Sequence, residues 1–418
     1  MKLILILVSC LALAGCASFG KGVAEAFLEK QGSEDTRVCQ VWGKSFDGIE
    51  PALSNRNGKM KVLMVHGVGH HIPGYSTQFL EKLAHEMGLD VMQRNRKELA
   101  LTDPDDTSKD LGTLRVERLL NEAGTKELLF YELTWSAITE PDKKILAYDN
   151  SGSYSYRRAG VNDMLKKFSN DTGPDPMIYL GNKRDDILAS FRQSFCWMIA
   201  ADWDGLPSGA NQGCYPVTEE ALRHLSDDSF AVVSHSLGSR ITIDGLQNLA
   251  QRVDDEAITK LTSSTGSRFI DEFRKKQLPL YMLSNQLPLL QLGRALPKVT
   301  GQSEAYCIPG GSHYDARTLA KTSLIAFSDP NDLLSYAIPD GFASDYLDSR
   351  LCIEVTNIII NVANVMDLFG VGEVANPLTA HVGYDSDDRV VALIAKGIGN
   401  PNIAPLVKER CEWTRLVD

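Results

Sequence analysis

The sequence predicts an α/β fold: a mainly parallel sheet with helices on both faces and lid-like inserts over one edge. Three observations carry this. Short continuous apolar runs recur along the chain, as strands buried on both faces require. Segments with apolar residues at helical spacing separate those runs. The alternation continues through most of the 418 residues, which makes the crossovers helical, the strands parallel and the handedness uniform. A sheet of that kind places its ligand crevice outside the carboxyl ends of the strands.

The first predicted strand is residues 62–65, Val62-Leu63-Met64-Val65, followed by a helix marked by Phe79, Leu80, Leu83 and Met87. Residues 128–135 read as the next strand, and Ile187, Leu188, Phe191, Phe195 and Met198 as the helix after it. Phe230-Ala231-Val232-Val233 is another buried strand, with a helix over residues 241–249. Residues 280–283, 323–327 and 355–360 complete the set of strands. Two stretches break the rhythm. Residues 137–180 are rich in Gly, Ser, Tyr and Asp, and residues 296–317 carry Cys307, Pro309, Gly310 and Gly311. Both read as long irregular inserts over the crevice.

Composition excludes several classes. Hydrophobic residues are 43% and charged residues 23%, the balance of a soluble globular chain rather than a disordered, collagen-like or polytopic membrane one. The formal net charge of -11 argues against nucleic acid or anionic lipid as an electrostatic partner.

The N-terminus reads as an address. Met1 and Lys2 precede an apolar run over residues 3–14, too short to span a bilayer but suited to a secretory signal. It ends in Leu13-Ala14-Gly15-Cys16, which resembles a bacterial lipobox. The resemblance implies cleavage before Cys16 and lipid attachment there, with Ala17 similar to the pattern sorted to the outer membrane. Residues 1–15 are then a lipoprotein signal, 16–58 a lipidated spacer and 59–418 the main domain, held at the cell envelope and facing the periplasm. Once Cys10 and Cys16 are set aside, Cys39, Cys196, Cys214, Cys307, Cys352 and Cys411 remain, an even number that suits disulfides in an exported protein, with connectivity left open.

The sharpest chemical signal is Phe230-Ala231-Val232-Val233-Ser234-His235-Ser236-Leu237-Gly238. An apolar strand runs directly into small-X-Ser-X-Gly, and a helical pattern follows. Such a turn needs small residues on either side of the serine, and it lifts the Ser236 hydroxyl above the sheet edge. A second glycine-rich turn, His66-Gly67-Val68-Gly69-His70-His71, follows the first strand. Its glycines allow the close backbone approach that an oxyanion's N–H donors need. His66, His70 and His71 cluster, but no neighbouring carboxylate or Cys completes a metal set. Phosphate-loop and dinucleotide fingerprints are absent, since the chain has no G-x-x-x-x-G-K-[ST] and the His66–His71 turn lacks the third glycine of G-x-G-x-x-G. No cofactor or metal is expected.

On these motifs the chain resembles an α/β-hydrolase with a lipase- or esterase-like serine triad, over roughly residues 60 to 400. The resemblance implies the chain order Ser, acid, His. Only His313 and His381 follow Ser236, and His381, beyond the last predicted strand, suits a general base. The acid falls in Ser328-Asp329-Pro330-Asn331-Asp332-Leu333-Leu334. Asp332 resembles the Asn-Asp-apolar-apolar pattern of many lipases, and Asp329 is the alternative. Leu237 and Val68 are implied as the oxyanion N–H donors. The expected activity is that of a membrane-anchored serine hydrolase, cleaving a lipid or other acyl ester through Ser236, Asp332 and His381. An acyltransferase of the same fold and a non-catalytic envelope lipoprotein are the alternatives.

The anchor is testable. Cys16→Ser should abolish labelled-palmitate incorporation and release the protein from the detergent phase, and undiminished labelling would exclude a lipobox.

Overall fold

The computed structural model describes residues 39–418, apart from 55–58, 152–157, 210–212, 216, 255–263, 368–372, 400 and 416–418. The predicted signal at 1–15, the lipidation site Cys16 and most of the 16–58 spacer lie outside the described residues.

The strands are β1 (Cys39–Gly43), β2 (Met60–Val65), β3 (Asp90–Thr102), β4 (Asp110–Leu120), β5 (Glu127–Thr134), β6 (Ser229–His235), β7 (Gln277–Leu283), β8 (Lys321–Ser328), β9 (Ile353–Ile360), β10 (Val365–Asp367), β11 (Glu373–Ala375) and β12 (Cys411–Arg415). Among the described residues, ten of them form one sheet in the order β12-β1-β9-β8-β7-β6-β2-β5-β4-β3, and β10 and β11 form a separate pair. The run from β5 through β2, β6, β7 and β8 to β9 is parallel throughout. The β3–β4 and β4–β5 pairs and β1–β9 are antiparallel. The fold is thus α/β with a mixed, mostly parallel central sheet.

Alternation along the strands builds two cores. Leu63, Val65, Val232, Leu280, Met282 and Leu324 enter the core on one face, and Val62, Met64, Ala231, Val233, Tyr281 and Ile325 enter the core on the other. Burial on both faces is why these strands read as unbroken apolar runs. Helices Arg184–Ala200 and Leu237–Asp254 supply apolar residues to the first core, and Thr77–Glu86 and Asp388–Lys396 to the second.

Strand order fixes where a ligand can go. β2 lies between β5 and β6, so the chain leaves β2 toward one side of the sheet and later returns to the other. That reversal opens a crevice at the carboxyl ends of β2 and β6. The turns His66–His71 and Ser236–Gly238 both leave the sheet there.

Three expectations need correction. The 16–58 spacer does not extend to residue 58, because β1 is an inner strand between β12 and β9. The described part of 137–180 is not irregular: it includes helices Gly160–Thr172 and Pro174–Leu180. The 296–317 insert does not sit over the crevice where it is anchored. The Cys307–Cys352 disulfide holds it beside the start of β9, at the sheet edge opposite Ser236.

The remaining cysteines pair as Cys39–Cys411 and Cys196–Cys214. No helix among the described residues is long and apolar enough to cross a membrane. The Cys39–Cys411 bond joins residues 372 apart in sequence, a closure worth about 6 kcal/mol in the chain-entropy description. Replacing both by Ser should lower Tm by several degrees in a thermal melt, and an unchanged Tm would show that strand pairing alone holds the two ends.

Candidate active site

Ser236 occupies the turn between β6 and the helix Leu237–Asp254 with φ 55°, a left-handed conformation that costs a serine energy. Neighbouring backbone enforces the turn. A Cβ on Gly67 would come within 2.6 Å of Ser236 Cβ, and one on Gly238 within 2.7 Å of the His66 carbonyl oxygen. Ser234, where glycine is usual, is accommodated at 1% exposure. The Leu237 N–H belongs to the first helical turn, where intrahelical acceptors are lacking.

The loop after β2 is held from several sides. His66 stacks on Trp135 with ring centroids 4.7 Å apart and on His71 at 4.1 Å. Its Nε2 accepts the Trp135 N–H at 3.1 Å and its Nδ1 donates to the Gly67 carbonyl at 2.8 Å. Both ring nitrogens are therefore occupied, which leaves His66 no lone pair for a metal. Burial, and then the adjacent His71, push its pKa well below the usual imidazole value. Gly69 N–H donates to Asp175 at 2.6 Å, His70 N–H to Asp171 at 3.1 Å and His71 N–H to Ser136 at 3.2 Å. Lys143 in turn holds Asp175 at 2.9 Å. Among the described residues the Val68 N–H meets no acceptor, so it stays free in a loop whose later amides are taken.

The expected acid and base, Asp332 and His381, meet across the loops after β8 and β11. His381 stands on the short helix Pro377–Val382, which Asn376 caps through bonds from Leu378 and Thr379 N–H. His381 Nδ1 lies 3.0 Å from Asp332 Oδ1. The Leu334 N–H also reaches Oδ1 at 3.0 Å, and the Ser284 and Tyr384 hydroxyls donate to Oδ2 at 2.7 and 3.3 Å. Burial works against the Asp332 charge, but hydrogen bonds from His381 and Ser284 and the attraction of His381 hold its pKa at about 2. An ionised Asp332 fixes the proton on His381 Nδ1 and turns the Nε2 lone pair outward. Asp329 does not take this part. Its carboxylate accepts the Val362, Ala363 and Asn331 N–H groups, which brace the loops after β8 and β9.

Among the described residues, Ser236 Oγ and His381 Nε2 are both buried without a hydrogen-bond partner. They are the two atoms that a nucleophile and its base would join, and such bonds are often loose before substrate arrives.

Sequence reasoning missed four supports. Ser284, at φ 50° just after β7, touches both the acid and the base, with its Oγ 3.0 Å from His381 Nδ1. Its signal was a small polar residue at the carboxyl end of a buried parallel strand. His235 donates from Nε2 to the His381 carbonyl at 2.8 Å. Burial, and then His381, push the His235 pKa down to about 3, so the ring is neutral at neutral pH. Tyr384 and Asp175 carry no motif.

Comparison of the chain with family models, curated proteins and solved structures returns no match.

On a chromogenic ester, Asp332→Asn should cut turnover by about 10⁴-fold, as loss of the correct tautomer does. Asp329→Asn should chiefly lower Tm, and the reverse order would make Asp329 the acid. The Asp332 pKa of about 2 lies below the ~3.9 of an unfolded aspartate. Its stabilisation is complete above that unfolded value and is lost as pH falls toward 2. Acid unfolding followed by circular dichroism should thus be shallower between roughly pH 4 and 2 in Asp332→Asn.

Proposed function

We propose that the chain is a serine hydrolase of the α/β-hydrolase type, cleaving carboxylic esters of amphiphilic substrates while held at the bacterial cell envelope by a lipid on Cys16. The observation that carries the reading is the placement of Ser236 at φ 55° on a strand-to-helix turn, with the hydrogen-bonded Asp332–His381 pair brought to the same sheet edge. The chain order Ser, acid, His agrees with that fold type.

In this reading His381 Nε2 takes the Ser236 proton as Oγ attacks the ester carbonyl. The Leu237 and Val68 N–H groups stabilise the resulting oxyanion. His381 then hands the proton to the departing alcohol, which leaves an acyl-Ser236. A water activated by the same nitrogen releases the acid and restores the serine. Asp332 stabilises the imidazolium in both halves.

Two observations support the substrate class and the location. Large apolar side chains are exposed around the site: Ile72, Leu333, Leu378 and Val382 flank its loops, and Leu333 is 73% exposed. The helix Gly160–Thr172 exposes Val161, Met164, Leu165 and Phe168, spaced as one helical face. Exposed apolar groups in such concentration suit a lipid interface. Ser236 is 0% exposed, so bulk water is kept off its hydroxyl. The disulfides fit an oxidising compartment outside the cytoplasm.

A fluorophosphonate probe should label wild-type protein at Ser236. Ser236→Ala should abolish labelling and lower turnover by about 10⁴- to 10⁶-fold; His381→Ala should suppress labelling as well. Equal labelling in Ser236→Ala, or none in folded wild type, would favour a non-catalytic envelope protein. Glycerol esters in place of free acid would mark acyl transfer.

A further inference from the structure

Part-way along the helix that follows Ser236, a buried carboxylate is surrounded by more positive charge than it can balance. The Asp244 side chain is 0% exposed. Arg240 Nη2 reaches its Oδ1 at 2.7 Å, while Arg184 Nη2 and Arg294 Nη2 reach its Oδ2 at 3.0 and 2.5 Å. Tyr179 donates its hydroxyl to the same Oδ2 at 2.6 Å. Guanidinium groups stay charged in proteins, so three cations meet a single anion.

Arg240 is 2% exposed, and a buried cation without a counter-charge is costly. Its Nη1 donates to Gln291 at 2.8 Å. Two donors remain: Arg240 Nε and Arg294 Nη1 are buried and meet no acceptor. Both residues wall a cavity of about 150 Å³, and Gln247, Asn248 and Gln251 extend it along the same helix face. By liquid volume it would hold about five waters, enough for a tetrahedral oxyanion. Asp244 is the sole carboxylate of the lining. A cation would be repelled, and a neutral ligand would leave the charge unbalanced.

We infer that this cavity binds a phosphate-type oxyanion, held by the Arg240 Nε and Arg294 Nη1 N–H groups and by the amides of Asn248 and Gln251, in the field of the three guanidinium groups. Guanidinium forks match the geometry of phosphate oxygens. Asp244 spaces the arginines. It lies eight residues beyond Ser236, about 12 Å along the helix axis. The oxyanion is thus either free phosphate or the phosphate headgroup of an ester whose acyl end lies at Ser236. The binding site itself does not depend on the hydrolase reading.

Isothermal titration of the full chain with inorganic phosphate, against chloride at matched ionic strength, tests this. Saturable one-site binding is expected in wild type and Ser236→Ala alike. Arg294→Gln should weaken it by about 10-fold or more, as loss of a charge-assisted donor does. Gln251→Glu leaves every bond to Asp244 in place and should weaken it comparably through charge alone. No saturable binding in wild type, or undiminished binding in both variants, would overturn the proposal and leave the arginines as a brace between helices. Competition separates the sources. Phosphate that raises KM for a phosphate-bearing ester but not for a neutral one assigns the headgroup, and phosphate that changes neither assigns the free ion; both results uphold the site. Phosphate binding without fluorophosphonate labelling would sink the hydrolase reading alone.

Discussion

Everything at the crevice depends on two turns passing closer than side chains allow. The loop after β2 lies against the turn after β6, and Gly67 and Gly238 are the residues at the crossing. Because no Cβ intervenes, the backbone of one turn sits on the backbone of the other. That contact holds Ser236 at positive φ and keeps the Leu237 and Val68 amides on neighbouring turns. A methyl group on Gly238 would press on the Val65 and His66 carbonyls, and one on Gly67 would press on the Ser236 side chain itself.

Around that crossing, polar groups tie together loops that come from separate strands. Asp332 gathers donors from the loops after β7, β8 and β11. Asp329 gathers amides from its own loop and from the end of β9. His235 links the turn after β6 to the helix bearing His381. The two carboxylates of one short loop thus divide the work. One is saturated by backbone amides and fixes the loop's shape; the other faces side chains able to move a proton. Asp175 does the equivalent for the β2 loop, with Lys143 supplying its counter-charge.

The parallel strands were legible because burial on both faces forces unbroken apolar runs, and the turn at Ser236 was legible because its steric demand is local. Hidden elements had weaker or remote signals. β3 lies at the sheet edge and carries Arg96, Lys97 and Glu98, charges that suit an exposed edge but blur a strand's pattern. β4 buries Arg115 and Glu117 as an ion pair, which breaks the apolar count. β1 and β12 are five residues each and make sense only beside partners hundreds of positions away. Asp332 and Asp329 stand three apart in one loop, and their roles separate only when the far ends of their hydrogen bonds are known. The charge on Asp244 draws arginines from three separate segments, a pattern with no local signature.

The position of β1 has a consequence for how the molecule assembles. Among the described residues this strand is the earliest, yet its neighbours are β9 and β12, which are among the last to be made. Its slot does not exist until the polypeptide is nearly complete. Pairing of such sequence-distant segments makes folding slow and leaves an unpaired edge exposed in the interval. A chain emerging N-terminus first would hold this strand in waiting until β9 is made, and the outer edge of β1 would then be open to other chains until residues 411–415 arrive.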